Sequence, residues 1–169
     1  GMDLKGKVFK FGDDINTDYI IAGKYRSKGL DMKVLAQHLM EDLDPDFTKK
    51  IKKGDFIVAG DNFGCGSSRE YAPKVIVEAG IGGVIANSFA RIFYRNAVNS
   101  GLLVIECDTS GLEQGDIINI SLKEGFIINE TKNTTIKFKQ IPPFMAKIIA
   151  EGGMVNFLKK YGDLDLETL

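Results

Sequence analysis

The sequence predicts an α/β fold built on a mixed sheet, with a small parallel α/β centre and antiparallel hairpins towards the C-terminus. Three observations predict this class. The composition, with 44% hydrophobic and 27% charged residues and a formal net charge of -1, is typical of one globular domain spanning residues 1–169. The central third alternates short apolar strands with helical segments, as βαβ units do. After residue 108, short strand-like runs are separated by Lys-Glu-Gly and Lys-Asn-Thr turns, which is typical of antiparallel hairpins.

The N-terminal part contains one strand, one polar turn and one amphipathic helix. The strand is predicted over residues 8–11, followed by a polar turn and a second apolar run over 19–22. Asp31 is a plausible N-cap for a helix that ends before the Asp-Pro-Asp of 44–46. Its apolar residues recur at the spacing of one buried stripe: Met32, Leu35, Ala36, Leu39, Met40 and Leu43. The only histidine, His38, falls on the polar side of this helix and is interpreted as an ordinary surface residue.

The remaining elements follow from β-branched runs and their flanking turns. Helices are predicted up to about residue 79, over 88–99, and as one or two closing helices after Ile141-Pro142-Pro143 that end near Tyr161. The predicted strands are 55–59, 83–87, 102–106, 116–122, 126–129 and 135–138.

The scarce residue types restrict the chemistry that this chain can perform alone. It has one histidine, two cysteines and no tryptophan, whereas structural zinc and iron–sulfur sites need about three or four N/S ligands. The two cysteines, Cys65 and Cys107, lie 42 residues apart, and no secretory leader is recognised ahead of them. We therefore expect a cytoplasmic protein with reduced cysteines. The apolar runs are too short for a membrane span. With 22 basic and 23 acidic residues, the chain also lacks the excess positive charge expected of a nucleic-acid-binding protein. Gly1 before Met2 is interpreted as an expression scar.

Glycine is the one compositional outlier, at 19 of 169 residues against a usual share of about 7%. The glycine-rich segment 60–70 follows a predicted buried strand and opens a helix, at the sheet edge where α/β proteins bind ligands. Gly64 and Gly66 would let the backbone approach a ligand closely, and the helix start favours an anion. Arg69 adds a fork of donors suited to a carboxylate or a phosphate.

The serines of this segment have two interpretations. Ser67 and Glu70 fit a capping box, with Ser67 as the N-cap. A helix that begins near Ala72 would instead place Pro73 in a favourable first position and leave Ser67 and Ser68 in the loop. The spacing fits neither a P-loop nor a nucleophile elbow, and a serine hydrolase would lack its histidine base.

Four motifs carry a resemblance to a known family. They are DINTD at 14–18, GDNFGCGSSRE at 60–70, ANSFARIF at 86–93 and NSGLL at 99–103. In this order and spacing they resemble the swivel domain of the aconitase superfamily, a β/β/α fold, and in particular the free-standing small subunits of the 3-isopropylmalate dehydratases. The resemblance extends from about residue 6 to residue 159.

The resemblance implies a hydro-lyase that interconverts 2- and 3-isopropylmalate through an unsaturated intermediate in leucine biosynthesis. It also implies a large partner subunit carrying a [4Fe–4S] cluster, in a heterodimer or heterotetramer, without which this chain is inactive. No cofactor is then bound by this chain itself.

The resemblance further implies roles for individual residues. Ser67 would be the base, acting as an alkoxide stabilised by loop amides and by Arg69, which would also clamp a substrate carboxylate. Asp18 would hold a catalytic histidine of the partner subunit in the correct tautomer. The residues expected to bind substrate are Thr17, Arg26, Gly66 and Ser68.

The segment 22–30 leaves the substrate open. In this family it is tied to substrate choice, and here it contains three cations, Lys24, Arg26 and Lys28. A homoaconitase or another substituted-malate hydro-lyase is therefore the first alternative, and a non-catalytic anion-binding scaffold is the second.

Several neighbouring residues have structural interpretations. Asp13 and Asp14 alone would be turn formers. Cys65 and Cys107 are interpreted as packing residues. Arg91 and Arg95, on one helix face, fit a partner surface or a solvated face.

Overall fold

The computed structural model describes residues 3–67 and 69–162. The strands are β1 (Asp3–Lys10), β2 (Phe56–Ala59), β3 (Gly83–Ala86), β4 (Val104–Glu106), β5 (Ile117–Ser121), β6 (Phe126–Asn129) and β7 (Thr134–Lys137). The helices are α1 (Thr17–Ile20), α2 (Met32–Ala36), α3 (Phe47–Lys50), α4 (Tyr71–Glu78), α5 (Arg91–Asn99), α6 (Pro143–Ala150) and α7 (Met154–Tyr161), with a 3-10 helix over Gly23–Lys28.

The strands form one seven-stranded mixed sheet in the order β4-β3-β2-β1-β5-β6-β7. Strands β1 to β4 are parallel, while β5, β6 and β7 run antiparallel to their neighbours. Strand β1 belongs to both halves: Val8, Phe9 and Lys10 pair with β2, and the residues before them pair with β5. The predicted mixed sheet, with a parallel centre and C-terminal hairpins, is confirmed.

The burial pattern explains why the two halves of the sheet differ. Every residue of β2 and β3 is buried, so helices and loops cover both faces of the parallel half. Strand β5 alternates between buried and half-buried positions, as expected for a sheet with one wetter face. The continuous apolar runs and the alternating runs of the sequence therefore correspond to these two environments.

The helix predicted over 31–43 is wrong in length. Asp31 caps it as expected, since its Oδ1 accepts a hydrogen bond of 2.9 Å from the Val34 N–H, but α2 has only five residues. Residues 37–43 form turns, and among them Met40 has a left-handed φ of 59°. The Met40 N–H donates to the Ile20 carbonyl at 2.9 Å, outside any helical pattern. A tertiary hydrogen bond thus replaces the helical one.

The start of α4 decides between the two interpretations of the serines. The helix begins at Tyr71, and its N-cap residue, Glu70, makes no side-chain capping bond. Ser67 lies outside the helix, so the capping box is wrong and the loop position predicted for Ser67 is confirmed. The helix begins one residue before the predicted Ala72, so Pro73 is its third residue rather than its first. It still lies in the first turn, where backbone N–H groups have no helical acceptor.

Within the described ranges, none of the helices has the length and apolar character required to cross a bilayer.

Candidate active site

Three loops converge beyond the carboxyl ends of β1, β2 and β3. The Asp14 N–H donates to the Asp61 carbonyl at 2.8 Å, which joins the first loop to the second. The Asn87 N–H donates to the Gly60 carbonyl at 3.0 Å, which joins the third loop to the second. Because parallel strands present their carboxyl ends at one edge, the sheet itself brings these segments together.

Two glycines allow the second loop to pack tightly against its neighbours. Gly64 has a φ of +84°, and a Cβ added there would lie 2.2 Å from Cγ of Phe93. Gly66 has a φ of +91°, and an added Cβ would lie 3.2 Å from Cβ of Asn16. A side chain at either position would be strained in its backbone and, at Gly64, would also clash. Gly66, predicted to bind substrate, therefore also has a structural reason to be glycine.

Thr17 holds the second loop on both sides of Gly66. Its side chain is buried, with 2% of the residue exposed. The Thr17 N–H donates to the Cys65 carbonyl at 2.9 Å, and the Thr17 hydroxyl donates to the Ser67 carbonyl at 2.7 Å. Ser67 itself is exposed. The predicted base thus lies in a loop whose backbone is fixed by Thr17.

Arg69 and Asp18 form an ion pair at the start of α4. Nη2 of Arg69 lies 2.5 Å from Oδ1 of Asp18, and Nη1 donates to the Ile21 carbonyl at 3.3 Å. The guanidinium side chain is only 10% exposed, whereas the Asp18 side chain is 57% exposed. The Nε of Arg69 is buried and has no hydrogen-bond partner among the described residues. A buried cation with an unused donor is the arrangement that an anionic ligand would complete.

A cavity of about 200 Å³ adjoins these groups. It is large enough for a small organic acid, and the first turn of α5, which has no side-chain cap, contributes to its lining. The lining residues are Thr17, Gly64, Gly66 and Arg69 from the motifs above, and Ala90, Arg91, Ile92, Phe93 and Asn96 from the third loop and α5. Arg91 and Arg95 are both exposed, and of the two Arg91 lines the cavity.

Two of the predicted substrate-binding residues are not placed in full. Ser68 lies outside the described residues. The backbone of Arg26 belongs to the 3-10 helix, and its side chain lies outside the described part of the chain.

Two aspartates of the first loop and both cysteines lie where a structural role is expected. Asp13 lies at a bend and Asp14 has a left-handed φ of 55°. Asp13 also accepts a hydrogen bond of 2.7 Å from the Asp61 N–H, so it joins the first loop to the second. Cys107 is 9% exposed, and burial raises the pKa of its thiol to about 11. Cys65 is half-buried, and both cysteines are free.

Sequence reasoning missed the role of Asn16 and misjudged His38. Asn16 caps α1 through a hydrogen bond from the Tyr19 N–H to its Oδ1, at 3.1 Å, and an Asn before a Thr-Asp pair is a signal that could have been used. His38 is not an ordinary surface residue. Its side chain is 30% exposed and stacks on the ring of Tyr25, with the ring centroids 4.1 Å apart.

The chemistry of this site is that of hydroxyl, carboxylate and guanidinium groups. In residues 3–67 and 69–162, no group of three or more His, Cys, Asp or Glu side chains is arranged to hold a metal ion. The described residues therefore do not fit an iron–sulfur cluster.

A comparison with protein families identifies the class to which this fold and site belong. Residues 17–110 match the aconitase C-terminal domain, a range that starts at Thr17 and includes Ser67, Arg69 and all the elements from β2 to β4. The loops that meet at the cavity all lie within or directly beside the matched range.

Individual relatives narrow the class. The chain is 52% identical to 3-isopropylmalate dehydratase small subunit 2 of Archaeoglobus fulgidus over 98% of this chain and 100% of that one. It is 54% identical to the 3-isopropylmalate dehydratase small subunit of Aliarcobacter butzleri, covering 92% of this chain and 94% of that one. A crystal structure of 3-isopropylmalate dehydratase from Methanocaldococcus jannaschii superposes with a TM-score of 0.85, at 50% identity over 95% and 96% of the two chains. The chain belongs to the aconitase C-terminal domain family and, within it, to the 3-isopropylmalate dehydratase small subunits.

Proposed function

We propose that this chain is the small subunit of a two-chain hydro-lyase that interconverts 2-isopropylmalate and 3-isopropylmalate in leucine biosynthesis. The names of the relatives support the reaction. The observation that carries the proposal for this chain is that Thr17 and Arg69 line one small cavity. Thr17 is hydrogen-bonded to the backbone of Ser67, and Arg69 is paired with Asp18.

The dehydration step requires removal of a proton from a carbon next to a carboxylate. Ser67 takes this proton onto its Oγ as the hydroxyl group leaves the neighbouring carbon, which gives the unsaturated intermediate. The isomerisation is complete when the hydroxyl of water adds to the carbon that lost the proton and Ser67 returns a proton to the carbon that lost the hydroxyl. A free serine is a weak base, so its alkoxide needs stabilisation by nearby N–H groups and by positive charge. Arg69, two residues further along the chain and only 10% exposed, supplies that charge.

Arg69 also binds the substrate. An isopropylmalate carboxylate would accept a hydrogen bond from the buried Nε, which is the guanidinium nitrogen without a partner among the described residues. Asp18 keeps the guanidinium in place through Oδ1, and its largely exposed carboxylate remains accessible to a second chain. Thr17 fixes the backbone on which Ser67 is carried.

The remaining parts of the site belong, in this proposal, to a large partner subunit. A [4Fe–4S] cluster on the partner would act on the leaving hydroxyl group, since the described residues of this chain do not fit one. The small subunit alone is then inactive. Two free cysteines support a reducing, cytoplasmic location.

The decisive experiment joins the chain to its cognate large subunit. The two chains are co-expressed, the cluster is rebuilt anaerobically, and turnover of isopropylmalate is measured. Ser67→Ala should lower kcat by about a hundredfold to ten-thousandfold, while size-exclusion chromatography shows an unchanged complex. Ser110→Ala, which alters an exposed serine on a turn, is the matched control. Retained turnover in Ser67→Ala would show that another group is the base.

The same assay separates the candidate substrates. The segment Gly23–Lys28 exposes Lys24 and Lys28, and cations beside the site favour an additional carboxylate. Isopropylmalate, homoaconitate and citrate are therefore compared in parallel, with Arg26→Ala as the variant. Loss of activity in Arg26→Ala only on the tricarboxylates would favour the homoaconitase alternative. Binding of these anions without turnover in the complete complex would favour the scaffold.

A further inference from the structure

The segment Gly23–Lys28 lies directly against the catalytic ion pair. A Cβ added at Gly23 would lie 2.9 Å from Nη2 of Arg69 and 3.2 Å from Oδ1 of Asp18. The segment is a six-residue 3-10 helix with no side-chain cap. Such helices have poor hydrogen-bond geometry and are rarely this long without other support. Contacts outside the segment must therefore keep it in place.

Those contacts come from the turns that follow α2. The Tyr25 hydroxyl donates a hydrogen bond to Oε1 of Glu41, and Nδ1 of His38 lies 2.8 Å from Oε2 of the same carboxylate. The rings of Tyr25 and His38 are stacked, with 17° between their planes. The Glu41 carboxylate thus contacts both members of the stacked pair. Because Tyr25 belongs to the segment and His38 does not, these contacts attach the segment to the turns that follow α2.

The charges around this cluster strengthen the attachment. The hydrogen bond to Glu41 and burial raise the pKa of Tyr25 to about 12, so its hydroxyl remains a donor at neutral pH. Burial raises the pKa of Glu41, but its hydrogen bonds to Tyr25 and His38 outweigh this and leave it below the usual value. The bond is therefore made to a charged carboxylate, which is the stronger kind. Lys24 and Lys28 lie over the Tyr25 ring, with Nζ 5.3 and 5.7 Å from its centroid.

The turns that follow α2 are also hydrogen-bonded to α1, the helix that contains Thr17 and Asp18. The Met40 N–H donates to the carbonyl of Ile20, at the end of α1, which also carries Thr17 and Asp18. Glu41 is the next residue along the chain. The carboxylate that holds Tyr25 is thus tied to the helix that carries Asp18.

We propose that Tyr25, His38 and Glu41 are positioning residues that fasten the segment Gly23–Lys28 against Arg69 and thereby set the affinity of the site for its substrate. The link to substrate rests on the proposed function, whereas the fastening is independent of it. Ser67 is held separately by Thr17, and Arg69 keeps its contacts with Asp18 and the Ile21 carbonyl, which lie outside the segment. Loosening the segment should therefore weaken binding and leave the proton-transfer step intact.

Limited proteolysis tests the fastening without any activity assay. The segment contains three trypsin sites, after Lys24, Arg26 and Lys28, which become cleavable when it opens. Tyr25→Phe removes one hydrogen bond and keeps the ring, so cleavage of the full chain within the segment should become about tenfold faster. Glu41→Ala should have at least this effect, and Glu41→Gln, which retains an acceptor, should restore much of the protection.

The control uses a second tyrosine–glutamate pair. The Tyr161 hydroxyl lies 3.4 Å from Oε1 of Glu151, and Tyr161 is 52% exposed. Tyr161→Phe should leave cleavage within the segment unchanged. Cleavage that is equally slow in Tyr25→Phe, Glu41→Ala and the unaltered chain would overturn the fastening.

Steady-state kinetics of the reconstituted complex then test the effect on substrate. Tyr25→Phe and Glu41→Ala should raise KM for isopropylmalate about tenfold and leave kcat within about twofold. Faster cleavage with unchanged KM would overturn the role in substrate affinity. If the unaltered complex does not turn over isopropylmalate, the proposed function fails, and the proteolysis rates still decide whether the cluster fastens the segment.

Discussion

Thr17→Val isolates the contribution of one buried hydroxyl group to the proposed catalytic loop. The change replaces the hydroxyl by a methyl group of similar size at a residue that is 2% exposed, and removes the 2.7 Å hydrogen bond to the Ser67 carbonyl. A lost hydrogen bond of this kind costs about 1 kcal/mol of folding free energy. For a chain of 169 residues this lowers Tm by about 2–4 °C, so the protein should remain folded at assay temperature.

The effect of Thr17→Val on turnover should be much larger than its effect on stability. The Ser67 carbonyl loses the donor that fixes its peptide, and a displacement of about 1 Å at a reacting group costs about a hundredfold in rate. The assay is kcat of the reconstituted complex, measured beside Tm of the small subunit. Thr17→Ser keeps the hydroxyl and should retain most activity. The reasoning would be refuted if Thr17→Val lost stability as expected but kept its kcat, or if Thr17→Ser lost as much activity as Thr17→Val.

Three further predictions concern the backbone, a thiol and a carboxylate. Gly64→Ala should destabilise the chain by about 1–2 kcal/mol from its positive φ alone, and by more through the clash with Phe93, as measured by urea unfolding. Cys107 should react with iodoacetamide far more slowly than half-buried Cys65, because it is buried and its pKa of about 11 leaves about a hundredth of the usual thiolate at neutral pH; mass spectrometry of the native protein would reveal the order. Burial raises the pKa of Asp116, but its hydrogen bonds and a nearby lysine lower it overall, so its carboxylate stabilises the fold above pH 3.8 and this contribution is lost as the pH falls below that value. Asp116→Asn should therefore flatten the acid side of the stability profile, and an unchanged profile would contradict this.

The sheet was predictable because its environments leave different patterns in the sequence. Strands β2 and β3 are buried on both faces and are read as continuous apolar runs, whereas β5 alternates. The glycine loop was predictable for a similar reason, since Gly64 and Gly66 stand where the backbone is left-handed.

The path between residues 37 and 43 was not predictable from the sequence. Its apolar residues keep helical spacing, yet methionine carries no signal for the left-handed φ of Met40, which a hydrogen bond to Ile20 stabilises from a distant part of the chain. The interpretation of His38 was wrong for the same reason. On a continuous helix its imidazole would face solvent, whereas the turns place the imidazole against the ring of Tyr25. Tertiary contacts overrode local periodicity at both residues.

Strand β1 pairs with both halves of the sheet, and this affects how the chain folds during its synthesis. One end of this strand completes the parallel half through β2, and the other pairs Asp3 with Ser121 in β5. Contacts between residues so far apart in the chain slow folding, because a large loop must close before they form. On the ribosome, the parallel half can begin to assemble once β2 and β3 have emerged, but the outer edge of β1 stays unpaired until β5 has been synthesised. An exposed strand edge can pair with other chains, so the interval between the synthesis of β1 and that of β5 is when this chain is open to aggregation through that edge.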